Sequence, residues 1–304
     1  MTNEIGEEQV WQATAALHHA YFTGMVLGAV ARRSPSDAAE FLRTVFVRQR
    51  EAKFLDGLTK LGLADLPDAV AAAQYHYLSN HIGGVHVQYI YESDRKAWIR
   101  YVPPRWAWEG TALCGVPGEV SAAMLEGWHA QNGVSLGNPR LGFVCTQQTA
   151  EGGDALEGYY YEYDHELAPQ ERLRFSRAER GPDFDPAAAP SLPTVTWPAK
   201  RLAKAQLNYA LEYVRTALPT VLDLWGTEIG SNFIRLIGKL VGMQYYRDIA
   251  SIAGIKPDGS QQQLEQLLEQ ISLAQGSVFD APGTGAGWEG IREGCAVAHR
   301  AAAQ

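Results

Sequence analysis

A chain of 304 residues, 46% hydrophobic and 20% charged, has the composition of a globular protein with room for one large domain or two smaller ones. Its formal charge of −8 argues against nucleic acid as a partner, because phosphate-tracking surfaces carry a basic stripe. The longest apolar run, "GMVLGAVA", is far shorter than the roughly 20 residues that cross a bilayer, and the start "MTNEIGEEQVW" lacks a basic region followed by an apolar one, so neither a membrane span nor an export signal is expected.

From Glu7 to about Ala31 apolar residues recur at helical spacing through Val10, Trp11, Leu17, Tyr21 and Met25. "SPSD" then offers Ser34 as a cap, Pro35 in the first helical position and Asp37 as a capping carboxylate for a second helix, which Gly62 stops. "DLPD" opens a third helix, carrying Val70, Ala73 and Tyr77 toward Asn80 and ending at Gly83-Gly84. There the period changes from about 3.6 to 2, and "VHVQYIYE" and "KAWIRYV" read as an antiparallel hairpin turned by "SDR" and closed by "PPRW". "GEVSAAMLEGWHAQNG" reads as one helix with Asn132-Gly133 as its C-cap. A second hairpin pairs "LGFVCTQQT" with "LEGYYYEYD" around "EGGD".

Residues 181–198 hold five prolines and little periodicity, which makes them a linker or an arm laid across the surface. Three helical patterns follow: Ala199 to about Leu224, Glu228 to about Ala253, and Ser260 to about Ala274. The glycine density of "APGTGAGWEG" suggests a mobile or wrapped tail. The expected architecture is therefore α+β: an antiparallel sheet of two hairpins flanked by N-terminal helices, followed by a helical C-terminal region. In domain terms, residues 1–180 form a small-molecule-binding domain, 181–198 the linker and 199–304 the helical region. The amphipathic run "LNYALEYVRTALPTVLDLW" is a surface through which the C-terminal helices would assemble a homo-oligomer, although such runs more commonly pack within their own chain.

Three histidines, His76, His81 and His86, recur at intervals of five where the third helix meets the first strand. Five residues rotate a helical direction by roughly 140°, so His76 and His81 cannot chelate from one regular helix. The glycines that follow would let His81 approach either of the others. Three readings compete. His76 makes a helix–sheet contact while His81 caps carbonyls and His86 lies on a half-buried strand face. Alternatively, His86 or His76 is a general acid or base, since imidazole titrates near neutrality. Under the third reading all three bind a divalent transition metal such as iron, zinc or copper, with a further ligand from elsewhere. The cofactor is thus either absent or such a metal.

The distant partner for a catalytic imidazole is sought in "YYYEYDHE", where Glu162 and Asp164 share a strand face with Tyr160. Arg100, beside Trp98, and Arg105, between Pro104 and Trp106, could clamp a substrate carboxylate bidentately while the indoles stack on a ring. Three cysteines (Cys114, Cys145 and Cys295) form an odd set without CxxC spacing, which points to reduced thiols in a cytoplasmic compartment. Cys114 precedes an expected helix N-terminus, a position that can activate a thiol. No phosphate loop, Rossmann fingerprint, nucleophile elbow or HExxH occurs.

The order of these elements, and above all "LGNPRLGFVCTQQTAEGGDALEGYYYEY", resembles the L-2-amino-thiazoline-4-carboxylic acid hydrolase family over about residues 70–165. The resemblance rests on Asn138-Pro139 leading into the strand 141–149, on Gly153-Asp154, and on the returning strand 156–164. It implies a small polar ring or amide as substrate. The family's cysteine–proline element is replaced by "YVPPRW", and Leu156 or Gly158 stands where it has a cysteine, so no catalytic residue is carried over. The resulting expectation is a hydrolase of a C–N bond in a cyclic or amide-containing small molecule. Catalysis would use His86, His76, Glu162 and Asp164, with Arg100, Arg105, Trp98, Trp106 and Tyr160 binding substrate. Two alternatives stand beside it: a metal-dependent enzyme at the histidines, and a non-catalytic ligand-binding or assembly protein.

Overall fold

The computed structural model describes residues 6–105, 109–193, 195–256, 260–276 and 286–302. It is α+β, and it divides into two compact units, one of residues 29–196 and the other of the residues up to Gly28 together with those from Trp197 onward.

The second of these units is helical. It contains most of α1 (Glu7–Arg32) with α6 (Ala199–Trp225), α7 (Thr227–Ile252), α8 (Gln261–Ala274) and α9 (Ala286–Ala302). Val10, Trp11 and Ala15 of α1 pack with Leu207, Ala210 and Leu211 of α6 and Ala274 of α8. The expected glycine-rich tail is in fact helical from Ala286 onward, while residues 281–285 lie outside the described residues. Its glycines bring two backbones into contact: a Cβ at Gly290 or Gly294 would run into the carbonyls of Arg235 and Lys239 on α7. The same composition that weakens a helix in isolation allows this one to lie against another.

The other unit holds the sheet. Residues 34–84 fold as the pattern dictates: α2 (Pro35–Leu61) begins at Ser34, whose hydroxyl accepts from the Asp37 amide, and ends at Gly62 in the left-handed region. α3 (Asp68–Ile82) follows. The hairpins are β1 (Val87–Ser93) with β2 (Lys96–Tyr101), and β3 (Leu141–Gln147) with β4 (Leu156–Glu162). They join through an antiparallel β2–β4 pairing that sets Ala97 opposite Tyr160, Ile99 opposite Gly158 and Tyr101 opposite Leu156. A short strand without a sequence signal, β5 (Leu173–Phe175), adds parallel to β3, giving the order β1-β2-β4-β3-β5.

Strand alternation separates the two faces of this sheet. Tyr89, Tyr101, Phe143 and Tyr160 face the helices: the Tyr89 hydroxyl meets Gln74 of α3, and the Tyr160 ring stacks 5.9 Å from His76. Trp98, Val144 and Tyr159 form a cluster on the opposite face. The chain after β5 returns over that second face, where Glu179 accepts from the Tyr159 hydroxyl and the Gly181 and Pro182 carbonyls accept from Arg100. The described residues of 181–198 adopt no helix or strand short of the start of α6.

One departure positions the site. The single helix expected over 118–133 is broken. α4 (Gly118–Gly127) stops at Trp128, a 3-10 turn covers His129–Gln131, and a second short helix, α5 (Asn132–Leu136), starts at Asn132. Asn132-Gly133 is therefore not a C-cap. Gly137, in the left-handed region, ends α5 instead. The break directs both His129 and Asn132 into the core, where they are 4% and 0% exposed.

Candidate functional site

Where α3, the 128–132 break and the helix-facing side of the sheet meet, the side chains of His76, Tyr101, His129, Asn132 and Tyr160 are all buried. They close a circuit of hydrogen bonds. The Tyr101 hydroxyl lies 3.3 Å from His76 Nδ1 and 3.4 Å from His129 Nε2. His129 Nδ1 lies 2.7 Å from the Tyr160 hydroxyl, and Asn132 Nδ2 spans 2.9 Å to that hydroxyl and 3.0 Å to His76 Nε2. The imidazoles stack at 4.1 Å between centroids, with Phe143 packed on His129 at 4.7 Å.

Hydrogen positions follow from the partners. Asn132 Nδ2 has two hydrogens and donates to His76 Nε2 and to the Tyr160 oxygen, so His76 carries its proton on Nδ1 and donates to Tyr101. Tyr101 then donates to His129 Nε2, and His129 Nδ1–H donates to Tyr160. Both imidazoles are neutral. Burial, reinforced by the nearby Arg105 charge, pushes His76 down to about 3. Burial, then His76, then Arg105 hold His129 well below its ordinary value. Burial likewise drives the Tyr160 phenol well above its ordinary range.

Beside this ring lies a pocket of about 170 Å³ lined by Tyr101, Pro103, Pro104, Arg105, Glu109, Leu113, Thr149 and Leu156, with Gly110 at its rim. Tyr101 belongs to both structures, lining the pocket and bridging the two imidazoles. The Arg105 guanidinium sits 4.6 Å from the centre of the Tyr101 ring. Its Nε and Nη1 are buried without a hydrogen-bond partner among the described residues, and Nη2 has only the Met124 sulfur at 3.6 Å. Buried guanidinium nitrogens without an acceptor are costly even on a partly buried side chain, and a bound anion would relieve that cost.

The structure thus gathers three residues singled out in the sequence, His76, Arg105 and Tyr160, and adds Tyr101, His129 and Asn132. It does not bring in the others. His86 is exposed just before β1, at the sheet end where Val87 pairs with Tyr101 and Tyr101 with Leu156. Glu162 ends β4 on the opposite side, six strand steps or roughly 20 Å away. There it pairs with Arg140 at 2.5 Å, while Asp164, 87% exposed, pairs with Arg95 at 2.7 Å. Register puts the two groups at opposite ends, and alternation puts them on opposite faces: His86 is in phase with Gln88, which pairs with Arg100 on the second face, whereas Glu162 is in phase with Tyr160 on the helix-facing side. Trp98 is buried on the other face and donates to Glu92 at 2.6 Å. Arg100 lies on that face too, and its donors are committed to Glu157, Gln88 and two backbone carbonyls. Trp106 lies outside the described residues.

The metal set is corrected as well. His76 is buried whereas His81 and His86 are exposed, and no three His, Cys, Asp or Glu side chains among the described residues cluster as a metal site. The five-residue rotation along α3 turns His81 outward, and the glycines do not turn it back. Cys114 is exposed, while burial pushes the Cys145 thiol up to about 12. No helix among the described residues is long and apolar enough to cross a membrane. Comparison with family models, with curated proteins and with solved structures finds no match.

Tyr160 offers a direct test of the ring. Tyr160→Phe removes the oxygen that accepts from both His129 and Asn132, leaving two buried donors unpaired. The expected loss is about 1–3 kcal/mol in urea unfolding. Loss below a few tenths would mean that the ring does not form.

Proposed function

We propose that the chain is a small-molecule enzyme that hydrolyses a C–N bond in a cyclic or amide-containing compound bearing a carboxylate. The observation that carries this reading is the Arg105 guanidinium, two of whose nitrogens have no partner among the described residues, in the wall of a small half-open pocket. Its planar fork suits bidentate capture of a carboxylate, and Pro103, Pro104, Leu113 and Leu156 supply apolar walls for the remainder of a small substrate. The resemblance to L-2-amino-thiazoline-4-carboxylic acid hydrolases in residues 70–165 supports the same substrate class.

In this reading all four histidine nitrogens are engaged within the ring, so His76 and His129 act on the pocket only through Tyr101. Tyr101 is the group through which a proton is exchanged with the leaving nitrogen. Glu109, the one carboxylate among the described lining residues, is the base for the attacking water. His86, Glu162 and Asp164 take no part. The closed circuit also favours a second reading, a ligand-binding protein without turnover, in which the ring merely stiffens the pocket wall.

The test is a panel of N-acyl amino acids, lactam carboxylates and thiazoline carboxylates, followed for amine release and for binding by thermal shift. Turnover by wild type, reduced about 100-fold in kcat by Tyr101→Phe with KM little changed, supports the enzyme. Binding without turnover favours the second reading. No binding of any carboxylate at millimolar concentration removes both.

A further inference from the structure

We infer that the buried ring is a proton-binding site linked to the anion site: an anion seated on Arg105 draws one proton into the ring and turns the Asn132 amide over. The inference rests on the reading of Arg105 just given and extends it to the protonation of the bound complex.

The argument begins with a count of hydrogens. With the amide nitrogen inside the ring, two hydrogens come from Asn132, one from each phenol and one from each imidazole, so six hydrogens face the five links. Tyr160 already accepts twice, and its own hydrogen has no place in the circuit. Turning the amide puts Oδ1 between Tyr160 and His76 Nε2, and now four hydrogens must serve five links. The lone pairs of His129 Nδ1 and the Tyr160 oxygen would then face each other at 2.7 Å. One added proton repairs that gap: with an imidazolium present and the amide turned, every link has one hydrogen. The state of Asn132 Oδ1 in the present orientation, fully buried and without a hydrogen-bond partner among the described residues, is the other half of the same mismatch.

Two forces keep that proton out, and one of them is removable. The groups facing the pair are Tyr75 from α3, Tyr101 from β2, Arg105 beyond it, Trp128 and Asn132 from the helix break, Phe143 from β3 and Tyr160 from β4. Among the described residues no carboxylate is seen to face the pair, and Arg105 is the positive charge acting on both. Burial is permanent. The Arg105 charge, which holds down both imidazoles, is offset when an anion pairs with it. Anion and proton binding are then reciprocal: the anion raises the affinity of the ring for a proton, and a lower pH raises the affinity of Arg105 for the anion.

Nitrate is the probe, being planar like a carboxylate and untitratable in the working range. Its binding is measured by calorimetry in two buffers of different ionisation enthalpy between pH 7 and pH 5, with the imidazole ¹⁵N signals followed in wild-type protein. The expected result is affinity that strengthens as pH falls, by up to about tenfold per unit, with net proton uptake and a shift of the ring signals toward imidazolium. Glu109→Gln removes the one carboxylate among the described lining residues and leaves the uptake. Asn132→Asp, with an acceptor toward both Tyr160 and His76, lets the free protein hold the proton, so uptake on nitrate binding disappears. Should that variant fail to fold, the wild-type signals decide. Nitrate binding with no uptake and unmoved imidazole signals overturns the coupling but leaves the anion site standing. No nitrate binding, together with no carboxylate binding, removes the anion site and the coupling with it.

Discussion

Replacing Arg105 with methionine is expected to abolish anion binding, weakening it at least about 100-fold, while leaving the unfolding free energy unchanged or raised by up to about 2 kcal/mol. The two effects have one cause. In the free protein the guanidinium gains a contact with the Tyr101 ring at 4.6 Å, worth about 0.5–2 kcal/mol. Against this stand two buried nitrogens without a hydrogen-bond partner among the described residues, at about 1–3 kcal/mol apiece. Methionine keeps the length, meets Met124 as a soft apolar neighbour and deletes the unpaired donors. A residue kept at a net cost to folding is kept for binding, and stability and function should move apart at this position. Urea unfolding and nitrate or carboxylate titration on the same preparation check this. Destabilisation beyond about 2 kcal/mol would show that Arg105 is a structural cation with a partner in the free protein.

What the sequence revealed and what it hid divide along the range of the interactions. Ser34, Pro35 and Gly62 act within a turn of their own helix and stand where local chemistry puts them, whereas the Asp37 carboxylate pairs with Arg33 at 3.0 Å and only its amide takes part in the cap. The hairpins were legible because period and turn residues are likewise local. β5 was not: three residues pair with β3 by a parallel register that only the folded sheet supplies. α9 was hidden by its glycines, which read as a flexible tail until α7 is seen against them. At the site, His76 and Arg105 could be singled out by type, but His129 was read as a position on a continuous helix. The available signal is the interruption itself, Gly127 followed by Trp128, after which polar His129, Gln131 and Asn132 break the apolar helical pattern. His86 stays out of the site because it is in phase with Gln88 and Arg100, on the face turned away from the helices, and lies at the other end of the sheet from Glu162.

The second large effect concerns the opposite face of the sheet, where Glu157→Ala is expected to cost about 3–5 kcal/mol and to expose the segment after Gly181 to proteases. Glu157 is 2% exposed and makes full use of its oxygens. Arg100 Nε donates to Oε2 at 2.5 Å, and Thr146, Gln147 and the Gly181 amide donate to Oε1 at 2.8, 3.2 and 3.1 Å. Arg100 in turn donates to Gln88 and to the Gly181 and Pro182 carbonyls, so one ion pair ties the returning chain to β2 and β4. Alanine leaves the guanidinium and the Gly181 amide without their acceptor; glutamine keeps one acceptor oxygen and should cost less. Acid acts on the same pair. Burial works to raise the Glu157 pKa, but the Gly181 amide, Arg100 and Thr146 outweigh it and hold the carboxyl below its ordinary value. Its contribution is therefore present above the unfolded carboxyl range and is lost as pH falls through the lower folded value. The buried histidines act at higher pH. His18 is pushed down to about 4, and His19 and His76 to about 3, chiefly by burial. The unfolded chain takes up these protons below about 6.5 while the folded one refuses them, so stability falls from there downward. Unfolding free energies across pH 7 to 3 should decline in both windows in wild type, whereas Glu157→Gln should lose only the lower one. A flat profile between pH 7 and 4.5 would mean that these histidines are already charged or solvated in the folded protein.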